Sequence, residues 1–271
     1  MEIFSKIGRI FYGSAIAATG VQQFFFKEFF QIVFPPLPFQ IPGLIYFAYL
    51  IGALLFVAGT AIALNINTKY FAFLLGCLFL FFFIFCYIPY ELFLSPYRAY
   101  HLGLWINPLK EFAFAGGAFA IAGKITFYSN STNGKSNFIV FLQKIVPFGR
   151  IMFSITMISF GISHFYYTDT VKNMVPVWIP SHLFWTYFAA IALIGSGIAI
   201  IIKFRVLVIG NLLGIMIFLW FILLHIPDAI ANPISNNGNE VTSAFSALAF
   251  SGIALVIANP YFHPSKTVDR R

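Results

Sequence analysis

Apolar runs about as long as a bilayer is thick constrain this chain more than any other feature of its sequence. A helix of roughly 20 apolar residues crosses the hydrocarbon core of a membrane, and such runs recur along all 271 residues. Backbone polar groups in lipid must find partners within the chain, so each run is predicted to be a helix. The predicted spans are approximately residues 8–27, 42–64, 69–93, 110–128, 141–166, 181–202, 205–226 and 241–258.

The charge content agrees with a membrane protein. Charged residues make up 9% of the chain, whereas soluble domains carry about 25%. The predicted fold class is therefore all-α, an eight-span polytopic membrane protein whose first partner is the lipid bilayer. The net charge of +8 does not indicate a nucleic-acid partner, because the basic residues are scattered between apolar runs. Cys77 and Cys86 are nine residues apart in one run, about 13 Å along a helix, which is too far for a disulfide.

The distribution of Lys and Arg predicts the orientation, because retained positive charge marks the cytoplasmic side of a membrane. An even number of spans puts both termini on one side, and twelve of the sixteen basic residues lie there. The four on the opposite side are Lys27, Arg98, Lys110 and Lys172. We therefore expect both termini to be cytoplasmic, in a bacterial inner (plasma) membrane.

The two halves of the chain resemble each other. Gly8-Arg9-Ile10 matches Gly149-Arg150-Ile151 at an offset of 141 residues. Further matches, at offsets of 138 and 135, are Ile41-Pro42 with Ile179-Pro180, Ile88-Pro89 with Ile226-Pro227, and Gly117 with Gly252. These matches predict a duplicated unit of four spans.

A unit with an even number of spans enters and leaves the membrane on the same side. The two copies are therefore predicted to be four-helix bundles related by an axis along the membrane normal, a parallel repeat. The predicted domains are residues 1–128 and 141–271, joined by a polar cytoplasmic linker at 129–140. The first run resembles a signal peptide, but a similar segment recurs at 149–165, so we expect it to be retained.

Polar side chains inside spans are costly in lipid, which makes each of them a functional candidate. His164 is predicted to lie in the outer leaflet and His225 at the outer surface, where Asp228 is expected to orient its imidazole if the helix continues past Pro227. The candidate ligand-binding residues are Gln23, Lys110, Glu111, His164, Tyr187, His225 and Asp228. An interfacial belt of amphipathic side chains is the alternative interpretation of this set.

Haem and metal sites are disfavoured by spacing. A bis-histidine haem would need His164 and His225 at one height, and their predicted heights differ by about 9 Å. A metal site is not expected, because no two His, Cys or carboxylate ligands are spaced i and i+4 on one span. No catalytic residue is identified, so whether the chain is an enzyme stays open.

Several short motifs resemble those of DoxX-like membrane proteins. They are Gly161-Ile-Ser-His164-Phe165, Met174-Val-Pro-Val-Trp-Ile-Pro180, Trp185-Thr-Tyr187, Leu224-His225-Ile-Pro and Trp105-Ile-Asn-Pro-Leu-Lys110-Glu111. Members of that family are usually single four-helix units, so the resemblance implies a fused tandem pair. It also implies an association with quinone-linked or other membrane oxidoreductase complexes. Many members carry an acidic residue midway along the second span, where this chain has Leu55 and Leu193.

Three functions compete. The first is a quinone-linked redox accessory subunit, in which quinone docks from the lipid near His164, His225 and Asp228, since imidazole hydrogen-bonds a quinone carbonyl and exchanges its proton. The second is a non-catalytic structural subunit or scaffold of a larger membrane complex. The third is a small-molecule carrier, which the scarcity of charged residues at mid-membrane disfavours.

The predicted topology can be tested by labelling single cysteines after Cys77 and Cys86 have been replaced. A membrane-impermeant thiol reagent applied to intact cells should modify Asn236→Cys, in a predicted outer loop, and leave Ser131→Cys, in the predicted cytoplasmic linker, unmodified. Modification of Ser131→Cys in intact cells would reverse the orientation.

Overall fold

The computed structural model describes residues 2–26, 33–36, 41–95, 101–128 and 137–259, and all regular secondary structure in them is helical. The α-helices are α1 (Glu2–Phe26), α2 (Leu44–Leu64), α3 (Thr68–Phe82), α4 (Ile106–Tyr128), α5 (Asn137–Tyr166), α6 (Thr168–Met174), α7 (His182–Ile201), α8 (Val206–Trp220), α9 (Ile226–Ala231) and α10 (Asn239–Ala258). Helix α3 continues through π-helical segments at Phe83–Tyr87 and Tyr90–Leu94, and α8 continues through one at Phe221–His225 into α9.

Five helical segments in the described residues are long and apolar enough to cross a membrane. They are Leu44–Leu64, Thr68–Leu94, His182–Ile201, Val206–Ala231 and Asn239–Ala258. Their length and composition are those of an integral membrane protein. Each of the eight predicted runs contains a helix, while the number of spans stays a prediction. Most of the predicted linker, residues 129–136, lies outside the described residues.

The long helices contact one another in a closed order. Helix α1 packs on α2, α2 on α3, α3 on α4, α4 on α5, α5 on α7, α7 on α8, α8 on α10, and α10 returns to α1. Helices α4 and α10 also contact each other. The pairs α1–α10 and α4–α5 join the two halves of the chain as extensively as α1–α2 and α5–α7 join helices within them. The two halves therefore share one continuous interface.

Helices α4 and α10 form the centre of this arrangement. Residues 113–123 of α4 are all buried. The rings of Phe114 and Phe250 pack with their centroids 5.4 Å apart, and Ile253 of α10 lies against Gly117 of α4. Side chains as small as glycine and alanine let two central helices be surrounded by protein on every side.

Glycines bring the backbones of crossing helices into contact. A Cβ atom at Gly59 of α2 would lie 2.5 Å from the backbone nitrogen of Ala17 and 2.6 Å from the carbonyl oxygen of Gly13. A Cβ at Gly20 would lie 2.5 Å from the carbonyl oxygen of Gly52. Since lipid supplies no hydrophobic drive between helices, close packing holds them together. The close approach predicted for the recurring glycines is confirmed.

Arg9 satisfies the carboxyl end of α2. Its guanidinium donates hydrogen bonds to the carbonyl oxygens of Ile62 and Ala63, the second at 3.0 Å. Carbonyls in the last turn have no donor within their own helix, and a basic side chain also complements the helix dipole there. The preceding residue, Gly8, packs against the carbonyl oxygen of Gly252. The Gly-Arg pair thus joins α1 to α10 and to α2.

Backbone conformations recur at a spacing of 138 residues. Residues with positive φ precede or follow helices at Gly43 (82°) and Ser181 (59°), at Asn65 (64°) and Lys203 (62°), and at Asn67 (44°) and Arg205 (41°). Positive φ is uncommon for any residue with a Cβ. The same helix starts and turns are therefore built twice, with glycine or asparagine in the first half and Ser, Lys or Arg in the second.

The π-helical turns follow the same spacing. Phe83–Tyr87 and Phe221–His225 are 138 residues apart, and Pro89 and Pro227 follow them within two residues. Proline lacks an N–H donor and its ring crowds the carbonyl four residues earlier, so a wider turn accommodates it. The last residues of these turns are Tyr87 and His225, and π turns occur frequently at functional sites.

The packing of α7 on α5 can be tested with two glycines of the same helix. A Cβ at Gly197 would lie 2.8 Å from the carbonyl oxygen of Ser154 and 2.7 Å from the side chain of Ile158, whereas a Cβ at Gly195 would meet no described atom within 4 Å. We expect Gly197→Ala to destabilise the protein by about 1–3 kcal/mol through overpacking. Gly195→Ala should be neutral or stabilising by up to about 1 kcal/mol, because alanine favours helix.

Thermal unfolding of both variants in the same detergent measures the difference. Equal unfolding temperatures would contradict the close approach of α5 and α7.

Candidate functional site

Four charged or titratable side chains gather where the second π-helical turn meets α4 and α10. We call Lys110, His225, Asp228 and Glu240 the charged cluster. His225 interacts electrostatically with Lys110 and Asp228, and Glu240 interacts with Asp228 and Lys110. The cluster joins three parts of the chain that are far apart in sequence.

Local structure explains how the cluster forms. The helix continues past Pro227 as α9, so Asp228 lies about one turn after His225, as the sequence analysis required. The Asp228 carboxylate accepts a hydrogen bond of 2.9 Å from the Nδ2 of Asn232. Glu240 lies in the first turn of α10, where the helix dipole favours a negative charge.

Lys110 and Glu111 are adjacent in α4 but have different neighbours. Successive residues of a helix point about 100° apart, and Lys110 belongs to the charged cluster while Glu111 interacts with Tyr87 and Cys86 of the first π-helical turn. The amine of Lys110 also lies 3.4 Å from the Oδ1 of Asn107, to which it donates. Helix α4 therefore presents a base to one π-helical turn and an acid to the other.

The second group of polar side chains is buried. We call Tyr87, Glu91 and Glu111 the buried acid cluster, because Tyr87 interacts electrostatically with both carboxyl groups. Their side chains are 2%, 4% and 0% exposed, respectively. Among the described residues, the Tyr87 hydroxyl, one Glu91 oxygen and both Glu111 oxygens have no hydrogen-bond partner.

The remaining predicted residues have other neighbours. His164 is half-buried, and its Nδ1 lies 2.7 Å from the carbonyl oxygen of Phe160 in its own helix. Tyr187 is 38% exposed and stacks on Phe165, with ring centroids 5.6 Å apart. Gln23 is fully buried, and neither amide atom has a hydrogen-bond partner in the described part of the chain. A ligand-binding role for these three residues stays a prediction.

Sequence reasoning missed the part that Glu240 plays, since it used this residue only as one of the outer acidic charges. An acidic residue in the first turn of a helix is an ordinary dipole signal, and it does not indicate which distant residues lie beside it. Tyr87 carried a clearer signal, because it aligns with His225 at the offset of 138. That alignment predicts equivalent positions, and the structure gives both residues the last place of a π-helical turn.

The charged cluster combines donors and acceptors. A lysine amine and an imidazole can donate to oxygen atoms of a ligand, while two carboxyl groups can accept protons from it. In the residues that the structure describes, no three His, Cys, Asp or Glu side chains group as metal ligands would. The chemistry that fits best is hydrogen bonding and proton exchange with an organic ligand that carries oxygen.

Comparisons with protein families, with curated proteins and with solved structures found no match. The resemblance to DoxX-like proteins therefore stays a prediction based on the motifs alone.

Proposed function

We propose that this chain is a DoxX-like integral membrane protein of eight spans that acts as a quinone-linked redox accessory subunit. In this proposal it lies in a bacterial inner membrane with both termini in the cytoplasm. The observation that carries the proposed function is the charged cluster, which sets two hydrogen-bond donors beside two carboxyl groups.

The proposed architecture is a parallel repeat of two four-helix units. Contacts between α1 and α2 have counterparts between α5 and α7. Gly20 approaches the carbonyl oxygen of Gly52, and Gly161 approaches that of Ala190. The counterparts are 141 residues apart for the first helix and 138 for the second, as the sequence offsets require.

Ring stacking and the central contacts support the same repeat. Phe24 stacks on Tyr49 with centroids 5.5 Å apart, and Phe165 stacks on Tyr187 at 5.6 Å. Where the halves meet, Gly8 packs on Gly252 and Gly149 packs on Gly116. These contacts pair Gly252 with Gly116, one residue from the match with Gly117 that the sequence favours.

Eight spans require that α1, α4 and α5 also cross the membrane. All three carry charged residues, and charge on a span is tolerated where it faces protein or lies near a helix end. Glu111 of α4 faces protein, since it is fully buried, and Arg9 of α1 caps α2. Helices with such neighbours need less apolar surface than helices in contact with lipid.

Quinone suits the charged cluster chemically. Its two carbonyl oxygens accept hydrogen bonds, which Lys110 and His225 can donate. A quinol that passes two electrons to a redox partner also releases two protons, and Asp228 and Glu240 are acceptors at the same place. The proposal assigns binding and proton exchange to this chain and electron transfer to a partner subunit.

Binding of decylubiquinone tests this function. The purified protein in nanodiscs is titrated with the quinone, and quenching of tryptophan fluorescence reports binding. We expect His225→Gln and Asp228→Asn each to weaken binding about tenfold, the effect of losing one hydrogen bond to a charged group. Lack of binding by the wild-type protein, or equal affinity in both variants, would contradict the proposal.

Asp169→Asn is the matched control for Asp228→Asn. Asp169 is an exposed carboxylate of α6 that forms an ion pair of 2.6 Å with Lys172. The hydrogen bond and the charge of Lys172 hold the pKa of Asp169 below its ordinary value, so it is ionised at neutral pH. This variant also removes one negative charge and should leave quinone affinity unchanged.

A scaffold without redox function is the second candidate, and the aromatic side of α7 favours it. Phe184, Trp185 and Phe188 pack on one another and are 59%, 40% and 44% exposed. Aromatic side chains are frequent at protein interfaces and at membrane surfaces. Purification in mild detergent separates the candidates: a stoichiometric partner without quinone favours the scaffold, and bound quinone favours the redox function.

A further inference from the structure

Glu111 is the most isolated polar side chain in the described residues with respect to hydrogen bonding. It is 0% exposed, and both of its carboxyl oxygens are buried without a hydrogen-bond partner in the described part of the chain. An ionised carboxylate without a partner in a protein interior costs several kcal/mol or more. A proton or a cation must therefore neutralise it.

The neighbours of Glu111 do not supply a positive charge. The first π-helical turn contributes Cys86 and Tyr87, which both interact electrostatically with Glu111. The adjacent Lys110 interacts instead with His225 and with Glu240 of α10. A proton is then the simplest way to neutralise the carboxylate, and the carboxylic acid that results can donate as well as accept.

A line of oxygen atoms connects Glu111 with the end of the helix. Tyr87 interacts with Glu111 and also with Glu91, which lies one turn further along. Its hydroxyl is buried and has no hydrogen-bond partner in the ranges described. Glu91 in turn interacts with Ser95, at the end of the second π-helical segment. Tyr87 therefore stands between a deep carboxyl group and a shallower one.

We propose that Glu111 is a buried proton-binding site that exchanges its proton through Tyr87 and Glu91. Bridging water molecules complete the path, because buried polar atoms without protein partners are satisfied by water. At each step one O–H bond breaks and another forms, with no change of oxidation state. The Tyr87 oxygen accepts a proton from one side while its own proton leaves on the other.

This site is separate from the proposed quinone site, since it uses none of the charged cluster. The matching π-helical turn of the second half ends in His225, which faces Lys110 rather than a buried acid. The two turns therefore differ in chemistry although their backbones agree. No quinone is needed to test the proton site, so failure of one proposal leaves the other standing.

Infrared spectroscopy of the protein in nanodiscs tests the inference. A protonated carboxylic acid has a C=O stretching band that an ionised carboxylate lacks. We expect the wild-type spectrum at neutral pH to contain such a band and Glu111→Gln to lose it. Asp169→Asn should keep the band, because the carboxylate of Asp169 is exposed and paired with Lys172.

Exchange into D2O tests the path, and it does not depend on the folding of Glu111→Gln. The band shifts when its proton is replaced by deuterium. We expect Tyr87→Phe and Glu91→Gln each to slow this shift about tenfold, as the loss of one hydrogen-bonded relay group would. Absence of the band in the wild type, or its persistence in Glu111→Gln, would overturn the proton site. Unchanged exchange in both other variants would overturn the path.

Discussion

Close backbone contact at glycine crossings is the interaction on which the rest of this structure depends. A helix surrounded by lipid gains little from hiding apolar side chains, so dispersion contacts between helices must supply the attraction. The contacts of Gly13 with Gly59 and of Gly8 with Gly252 bring α1 against α2 and α10. These contacts fix where polar groups at the helix ends meet, including the capping of α2 by Arg9.

The position of α4 gives these contacts a chemical consequence. Its central turns are buried on every side, and both π-helical turns interact with its first two turns through Glu111 and Lys110. Two neighbouring residues of one helix therefore interact with the two proline-induced turns. Proline determines the local geometry of each turn, while the side chain that ends it, Tyr87 or His225, determines the chemistry. The proposed quinone site and the proposed proton site are the two results.

The sequence predicted the helical segments well, because apolar runs, prolines and glycines act locally. It also indicated the relation of His225 to Asp228, which depends only on one helix continuing past Pro227. It did not predict that Glu240 lies beside Lys110, since that contact requires the packing of α10 against α4. Tyr187 was grouped with the histidines by its height along a helix, whereas its ring stacks on Phe165. Height can be estimated from residue counts, but the direction of a side chain depends on how neighbouring helices pack.

The central claim, a parallel repeat that crosses the membrane eight times, is tested most directly at the turns between α2 and α3 and between α7 and α8. Ile66 and Phe204 lie in these turns 138 residues apart and are 53% and 57% exposed. With Cys77 and Cys86 replaced, Ile66→Cys and Phe204→Cys are labelled separately with an impermeant reagent in intact cells and in inside-out vesicles. The parallel repeat predicts that both react only in inside-out vesicles. Reaction of one in intact cells and of the other in vesicles would contradict it.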